Sequence, residues 1–313
     1  MIGVGDVRAA AERLRGQVRV TPLIHATHLK DPLSEVSLTL KLELLQVTGS
    51  FKARGAMNRL LATPGTELAK GIVAASGGNH GLAVARAGAF AGVPTTIFLP
   101  TNASPAKVEK LRQWGAETVI TGDLWDTTHV EALAFAAKQG AAYFHPFADP
   151  LVVAGQGTVG LEILEQDPEV EVVLVAIGGG GLISGVATAL KALSPSTSVI
   201  GVEAAGSPTL KDSVQAGHTV TLERVTTSVA TMACGRTDDR ILDIVRRTVD
   251  EIVLVEDSEM LEAAKWLWFE MGLAADLSGA AALAALQTGK LHLDPGTRAC
   301  VIVCGAGAEA LAH

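Results

Sequence analysis

Leu38, Leu40, Leu42 and Leu44 alternate with polar residues, which predicts a half-buried strand over 37–44 with the leucines on one face. Ahead of it, Val7, Ala10, Ala11 and Leu14 fall on one helical face behind Asp6, so a first helix is expected from Asp6 through Arg15 with Asp6 as its cap. Thr21-Pro22 breaks the chain. A Gly-Ser-Phe turn at 49–51 then opens an amphipathic helix to about Leu61. From Gly71 a rhythm begins: strands over 72–75, 95–99, 117–120 and 141–144 alternate with helices over 79–91, 105–114 and 126–139. Two prolines between His145 and Pro150 interrupt it and predict a crossing between domains. Beyond them, strands are expected over 172–176, 199–202, 252–255 and 299–304. Helices are expected over 152–165, from the glycines at 178–181 to Leu193, and over 258–271 and 278–287.

Strands that alternate with helices at this spacing form parallel sheets covered by helices. The interruption near 149 suggests two such units, a small domain over 50–148 inserted into a larger one formed by 1–49 and 149–313.

With 313 residues and 48% hydrophobic content, the chain can bury a core of that size. A net charge of -8 makes a nucleic-acid partner an unfavourable choice. No apolar run is long enough to span a bilayer, and Arg8, Glu12, Arg13 and Arg15 interrupt any signal-like start, so cytoplasm is the expected location. Cys234, Cys300 and Cys304 make no CxxC pair; Cys300 and Cys304 on one strand would stand about 13 Å apart, too far to bridge. His25 and His28 lie in a polar turn region without a third ligand. Trp266, Trp268 and Phe269 read most simply as core or interface.

Four glycine-bearing loops carry the candidate chemistry. Lys52 follows Gly49, Ser50 and Phe51, a turn that delivers one amine beside an apolar ring. A desolvated lysine loses its proton more easily and can carry a carbonyl as a Schiff base. Ser76-Gly77-Gly78-Asn79-His80 joins a strand to a helix and offers free backbone N–H groups at a positive helix end, a place for a carboxylate or phosphate; a plain turn capped by Asn79 is the alternative. Gly178-Gly179-Gly180-Gly181-Leu182 again joins strand to helix, and four successive glycines imply close approach to the backbone, with phosphate the usual reason. The dinucleotide fingerprint fails there, because Ile183 stands at its third glycine position, and no Lys-Ser or Lys-Thr completes a Walker loop. A nucleotide-binding oxidoreductase is therefore a distant reading. Cys304-Gly305-Ala306-Gly307 ends the last strand, where ligands of parallel sheets bind, although a buried structural cysteine is the commoner outcome.

The lysine in Gly-Ser-Phe-Lys, the Ser-Gly-Gly-Asn loop, the tetraglycine loop and the terminal Cys-Gly-Ala-Gly occur in that order across nearly the whole chain. This set resembles the fold-type II pyridoxal-phosphate enzymes, with the tryptophan synthase β-like α/β architecture of two open, mostly parallel sheets. Within them it is similar to the serine/threonine dehydratases. Thr227-Ser228-Val229-Ala230 and Val303-Cys304-Gly305 match the liver-type serine dehydratases most closely. The resemblance implies elimination of water from L-serine or L-threonine, giving ammonia and a 2-oxo acid. Lys52 would hold pyridoxal 5'-phosphate and remove the α-proton. Phe51 would pack on the ring, Asn79 would bond its hydroxyl, and Cys304 would face its nitrogen. Gly178, Gly179, Gly180, Gly181 and Leu182 would hold the phosphate. Ser76, Gly77, Asn79 and His80 would take the substrate carboxylate.

Departures narrow the resemblance. Related racemases place a serine hydroxyl at the position of Gly77, so racemisation should be poor. Related divalent-metal enzymes carry an aspartate where Thr209 stands, which puts Mg²⁺ in doubt and leaves a monovalent cation such as K⁺ at Glu203 and Ser207; an ordinary strand-end carboxylate is the alternative for Glu203. The chain stops soon after Cys304, leaving no room for the regulatory domain of biosynthetic threonine dehydratases. A homodimer is the usual state of such enzymes. The alternatives are a β-replacement enzyme, a hydroxyaspartate dehydratase, or a non-catalytic carrier of the cofactor.

Overall fold

The computed structural model describes residues 2–33, 35–101, 103, 105–122, 125–308 and 311. Its strands are β1 (Leu23–His25), β2 (Ser37–Lys41), β3 (Ile72–Ala75), β4 (Thr95–Leu99), β5 (Glu117–Ile120), β6 (Ala142–Tyr143), β7 (Val172–Ile177), β8 (Ser198–Ala204), β9 (Glu251–Val255) and β10 (Arg298–Ile302). They form a six-stranded sheet in the order β1-β2-β10-β7-β8-β9 and a four-stranded sheet in the order β5-β4-β3-β6. Every pairing is parallel except β1 with β2. The α/β architecture of two mostly parallel sheets expected from the sequence is therefore present.

The first helices are α1 (Val4–Leu14), α2 (Lys52–Ala62), α3 (Gly65–Leu68), α4 (Asn79–Ala91), α5 (Pro105–Gln113) and α6 (Trp125–Gln139). They are followed by α7 (Pro150–Gln166), α8 (Gly181–Leu193), α9 (Thr209–Ala216), α10 (Asp239–Thr248), α11 (Asp257–Met271) and α12 (Leu277–Gln287). The central strand β7 is buried at all six positions, because β10 and β8 flank it and helices cover both faces. That explains why its sequence, Val-Val-Leu-Val-Ala-Ile, is continuously apolar rather than alternating. Each fully buried aliphatic side chain in such a strand contributes about 1.5–3 kcal/mol, so a charged residue at Leu174 would break this layer.

Several local expectations change. Asp6 does not cap α1; the helix begins at Val4, and the Asp6 carboxylate accepts a hydrogen bond of 2.8 Å from the Gly3 N–H. The strand from Ser37 is not half-buried: it ends at Lys41, and Thr39 and Lys41 are as buried as the leucines, because partners for Lys41 come from α7. Leu44 lies in a 3₁₀ turn that follows. Pro150 is not only a breaker but the first residue of α7, with Asp149 capping it through the Leu151 N–H. His25 belongs to β1 rather than to a turn. The last strand ends at Ile302, so Cys304 lies beyond it and the two cysteines do not share a strand. Helices α9 and α10 were not expected from the sequence pattern. Trp266 is buried, its indole N–H donating to the Asp31 carbonyl, whereas Trp268 and Phe269 are exposed. No helix among the described residues is long and apolar enough to cross a membrane.

Candidate active site

Thr48 and Gly49 both have positive φ, 64° and 84°, so the chain reverses just before Lys52. The reversed segment pairs with the end of the molecule: Phe51 N–H donates to the Cys304 carbonyl at 3.2 Å, and Ala306 N–H donates to the Gly49 carbonyl at 2.8 Å. Two motifs some 250 residues apart are thereby fastened to each other by backbone. Lys52 is the first residue of α2, and its Nζ donates to the Pro146 carbonyl at 2.7 Å and lies 5.1 Å from the centre of the Phe51 ring. Burial brings its ammonium down to a pKa of about 8, an effect that the nearby Cys304 and Cys234 thiols only partly oppose.

Strand β3 delivers the second loop. Ser76 N–H donates to the Phe98 carbonyl, and Ser76 Oγ accepts from the Gly78 N–H at 3.2 Å. Helix α4 then starts at Asn79 without a side-chain cap, leaving its first-turn amides without intrahelical acceptors. The Asn79 amide group donates to Asp276 Oδ2 at 3.1 Å. The His80 ring does not face out with those amides. It is buried, with Nε2 2.9 Å from the Phe144 carbonyl, and burial together with the charge of Lys52 holds its pKa down to about 3. His80 is therefore a neutral group at neutral pH.

The tetraglycine loop follows β7, and Gly180 takes φ of 90° at the start of α8. A Cβ at Gly179 would lie 2.2 Å from the Phe147 ring, one at Gly181 2.9 Å from Phe147 Cα, and one at Gly178 2.7 Å from the Thr231 carbonyl oxygen. The close approach expected from four glycines thus comes in large part from the protein itself. The amides of Gly180, Gly181 and Leu182 still open the first turn of α8 at its positive end, which suits a phosphate dianion. Pro146 and Phe147 join this loop to Lys52, because one offers the carbonyl that Lys52 meets and the other packs on Gly179 and Gly181.

Cys304 is buried, and its Sγ lies 3.4 Å from the Ser278 carbonyl. Burial first, and then the charge of Asp276, push its thiol pKa well up, so it stays protonated. Nothing in the sequence pattern marks Asp276. It caps α12 through the Gly279 N–H at 2.6 Å, accepts from Ser278 Oγ, and meets Asn79 from the second loop. A capping aspartate before a small-residue helix is a common pattern, and only the fold shows what it touches.

Glu203 lies near the end of β8 and Ser207 just beyond it, and both are buried. Both Glu203 oxygens accept backbone N–H groups at the start of α9, from Leu210 at 2.7 Å and Lys211 at 3.0 Å. Burial outweighs those amides and lifts the carboxyl pKa to about 8. Ser207 Oγ donates to the Cys234 carbonyl at 3.0 Å, and Thr209 Oγ1 donates to the same oxygen. Among the described residues, no group of three or more His, Cys, Asp or Glu side chains converges as a metal site.

The residues at the centre of this site fit pyridoxal phosphate: an amine made easier to deprotonate, a helix N-terminus lined by glycine, and a protonated thiol are linked to one another through the Pro146 carbonyl, the Phe147 ring and the Phe51–Cys304 backbone bond. Comparison with known proteins agrees. A family model described as pyridoxal-phosphate dependent enzyme matches residues 14–305. An L-threonine ammonia-lyase of Geobacter sulfurreducens is 41% identical over 96% of this chain and 74% of its own length. One of Thermotoga maritima is 38% identical over 97% and 75%. Among solved structures, a threonine deaminase from T.th. superposes with a TM-score of 0.91 at 37% identity, covering 98% of both chains. Maize serine racemase gives 0.93 at 32% identity, covering 97% of this chain and 93% of its own.

Proposed function

The chain belongs to the pyridoxal-phosphate dependent enzymes, and from that we propose that it is an L-serine/L-threonine ammonia-lyase. Net, L-threonine loses water across Cα and Cβ, and the enamine released regains water to give 2-oxobutyrate and ammonia; L-serine gives pyruvate. The observation that carries the reading is Lys52, a lysine of lowered pKa held at the head of a helix between two glycine loops.

When bound, pyridoxal phosphate supplies an electron sink that stabilises the charge developing at the substrate α-carbon. The rest falls to the protein. Lys52 Nζ would hold the cofactor, and its neutral amine would serve as the base at the α-carbon. Its lowered pKa keeps a useful fraction neutral near physiological pH. The Ser76–Asn79 loop holds the substrate carboxylate through Ser76, Gly77 and Asn79, with backbone amides rather than the His80 ring doing the binding at 80. The α8 amides from Gly180 to Leu182 hold the phosphate, and Phe51 packs beside the ring. Cys304, kept protonated by burial, would offer a neutral thiol to the ring nitrogen, which would not be held protonated as it would be by a carboxylate. That disfavours transamination relative to prompt elimination. Gly77 places no donor on the second face of the α-carbon, which weighs against the racemisation carried out by the maize relative.

Residues 50–148 would form a small domain set into a larger one built from 1–49 and 149–313, and K⁺ would bind near Glu203 and Ser207. A cytoplasmic homodimer completes the proposal, with light scattering its check. The decisive experiment incubates purified protein and pyridoxal phosphate with L-threonine or L-serine and measures 2-oxo acid. Formation of product by the wild type and none by Lys52→Ala supports the reading; no product from either substrate overturns it.

A further inference from the structure

Behind Lys52 lies a buried ion cluster that the chemistry above does not use. Arg54 is 1% exposed, yet its guanidinium is gripped from two sides. On one side Nε and Nη2 donate to Glu43 at 2.8 and 2.7 Å; on the other Nη1 and Nη2 donate to Glu162 at 2.6 and 2.9 Å. Lys41 Nζ meets Glu162 at 2.6 Å, and Thr21 Oγ1 donates to Glu43 at 2.5 Å. Two cations and two carboxylates thus balance inside the protein. Burial lowers the Lys41 pKa and works against the charge on Arg54, but Glu43 and Glu162 together more than restore the latter.

We propose that Arg54, clasped by Glu43 and Glu162, is a positioning residue that locks the rotation of α2 and so decides where Lys52 presents its amine. The inference rests on the reading of Lys52 as the reactive amine. The groups come from separate elements: Glu43 from the 3₁₀ turn after β2, Glu162 from α7, and Arg54 from the first turn of α2. Residues two apart on a helix point about 200° from each other, so Arg54 and Lys52 leave α2 on nearly opposite sides. Sliding of α2 is already blocked where it crosses α7: a Cβ at Gly155 would stand 2.7 Å from Gly55 Cα, and Gly55 N–H donates to Gln156 Oε1 at 3.2 Å. Rolling is resisted further along α2 by Asn58, whose amide donates to the Leu151 carbonyl at 2.6 Å, and by Arg59, paired with Asp149 at 2.7 Å; in the first turn, where no side chain caps the helix, Arg54 is the clasp nearest Lys52. With a helix radius of about 2.3 Å and a lysine reach of about 6 Å, a 10° roll would move Nζ by roughly 1.4 Å. A displacement of about 1 Å at a reacting group can lower rate about a hundredfold. A buried ion cluster adds little net stability over an apolar one of the same shape, so positioning accounts better for its presence.

The test uses holoenzyme. Arg54→Lys keeps the charge and removes the two-sided fork; Glu162→Gln is a nearly isosteric loosening of one side; the combined variant Lys41→Met, Glu43→Leu, Arg54→Met, Glu162→Met replaces the whole cluster by apolar volume. For each, thermal midpoint, kcat and KM for L-threonine, and visible circular dichroism per unit absorbance of the bound cofactor are measured. The expected result is that the combined variant melts at or near the wild-type temperature and remains coloured. Its visible dichroism changes, its kcat falls ten- to a hundredfold, and its KM stays within about threefold. Arg54→Lys and Glu162→Gln should show the same changes to a smaller degree. Wild-type dichroism and kcat in the combined variant overturn the proposal, as do losses that follow only the folded fraction. So does a series in which every variant, Glu162→Gln included, is unfolded, because the cluster is then a folding element. If the wild type itself lacks colour and turnover, the functional reading fails instead.

Discussion

The lowered pKa of Lys52 predicts how the cofactor-free protein captures pyridoxal phosphate. An ordinary lysine titrates at 10.5, and burial brings this one to about 8. At pH 7 roughly one molecule in ten then carries a neutral amine, against roughly one in three thousand for an exposed lysine, a gain of about 300-fold in reactive form. The rate at which visible absorbance appears after mixing with cofactor should rise about tenfold per pH unit below 8 and level off above it. Stopped-flow mixing between pH 6 and 10 measures this. The same shift has a stability counterpart whose sign can be checked. The folded pKa lies below the unfolded one, so the unfolded chain holds more protons between pH 8 and 10.5 and stability rises with pH across that window. At about 1.4 kcal/mol per unit of pKa, the amine costs up to about 3 kcal/mol at pH 7. Lys52→Met, without cofactor, should therefore be more stable than the wild type at pH 7, with the difference shrinking as pH rises from 8 to 10.5. A capture rate that keeps climbing through pH 10 with no break near 8, and a stability difference independent of pH, would refute the argument that burial activates Lys52.

Three further outcomes are expected. Gly77→Ser fits once the end of the Leu99 side chain gives by a few tenths of an ångström, since its Cβ would stand 3.3 Å from Leu99 Cδ2 and 3.8 Å from Ala103 Cβ; chiral chromatography should show D-serine formed from L-serine in this variant and scarcely in the wild type. Gly181→Ala would put a Cβ 2.9 Å from Phe147 Cα and 3.0 Å from its carbonyl oxygen, both backbone atoms; an overpacking cost of about 1–3 kcal/mol, if borne by the phosphate loop, corresponds to roughly five- to 150-fold weaker cofactor binding in a fluorescence titration. Replacing K⁺ by tetramethylammonium should lower kcat in the wild type and leave Glu203→Gln unaffected; equal rates for the wild type in both salts would remove the cation from the mechanism.

The alternation of apolar segments, the glycine loops and the position of one lysine at a helix start were all legible in the sequence, because each is a local pattern. Ile72–Ala75 followed by Ser-Gly-Gly-Asn, or Val172–Ile177 followed by four glycines, needs no distant partner to be read. What β2 would bury was not legible. Alternating leucines imply one exposed face, but Lys41 on the second face is buried against Glu162 and Gln166 of α7 and the Thr21 carbonyl, and Thr39 donates to the Ala299 carbonyl. His80 stood among polar loop residues, yet its ring turns inward to Phe144. The role of Asp276 depends on a contact with Asn79 across 197 residues, and the two-sided hold on Arg54 depends on Glu162, 108 residues further on. Sequence alone thus determined the kinds of element and the reactive groups they carry, since propensity and spacing act over a few residues. The tertiary structure decided which groups meet, which charges are buried and which amine is made reactive, because desolvation and hydrogen bonding depend on neighbours brought from distant parts of the chain.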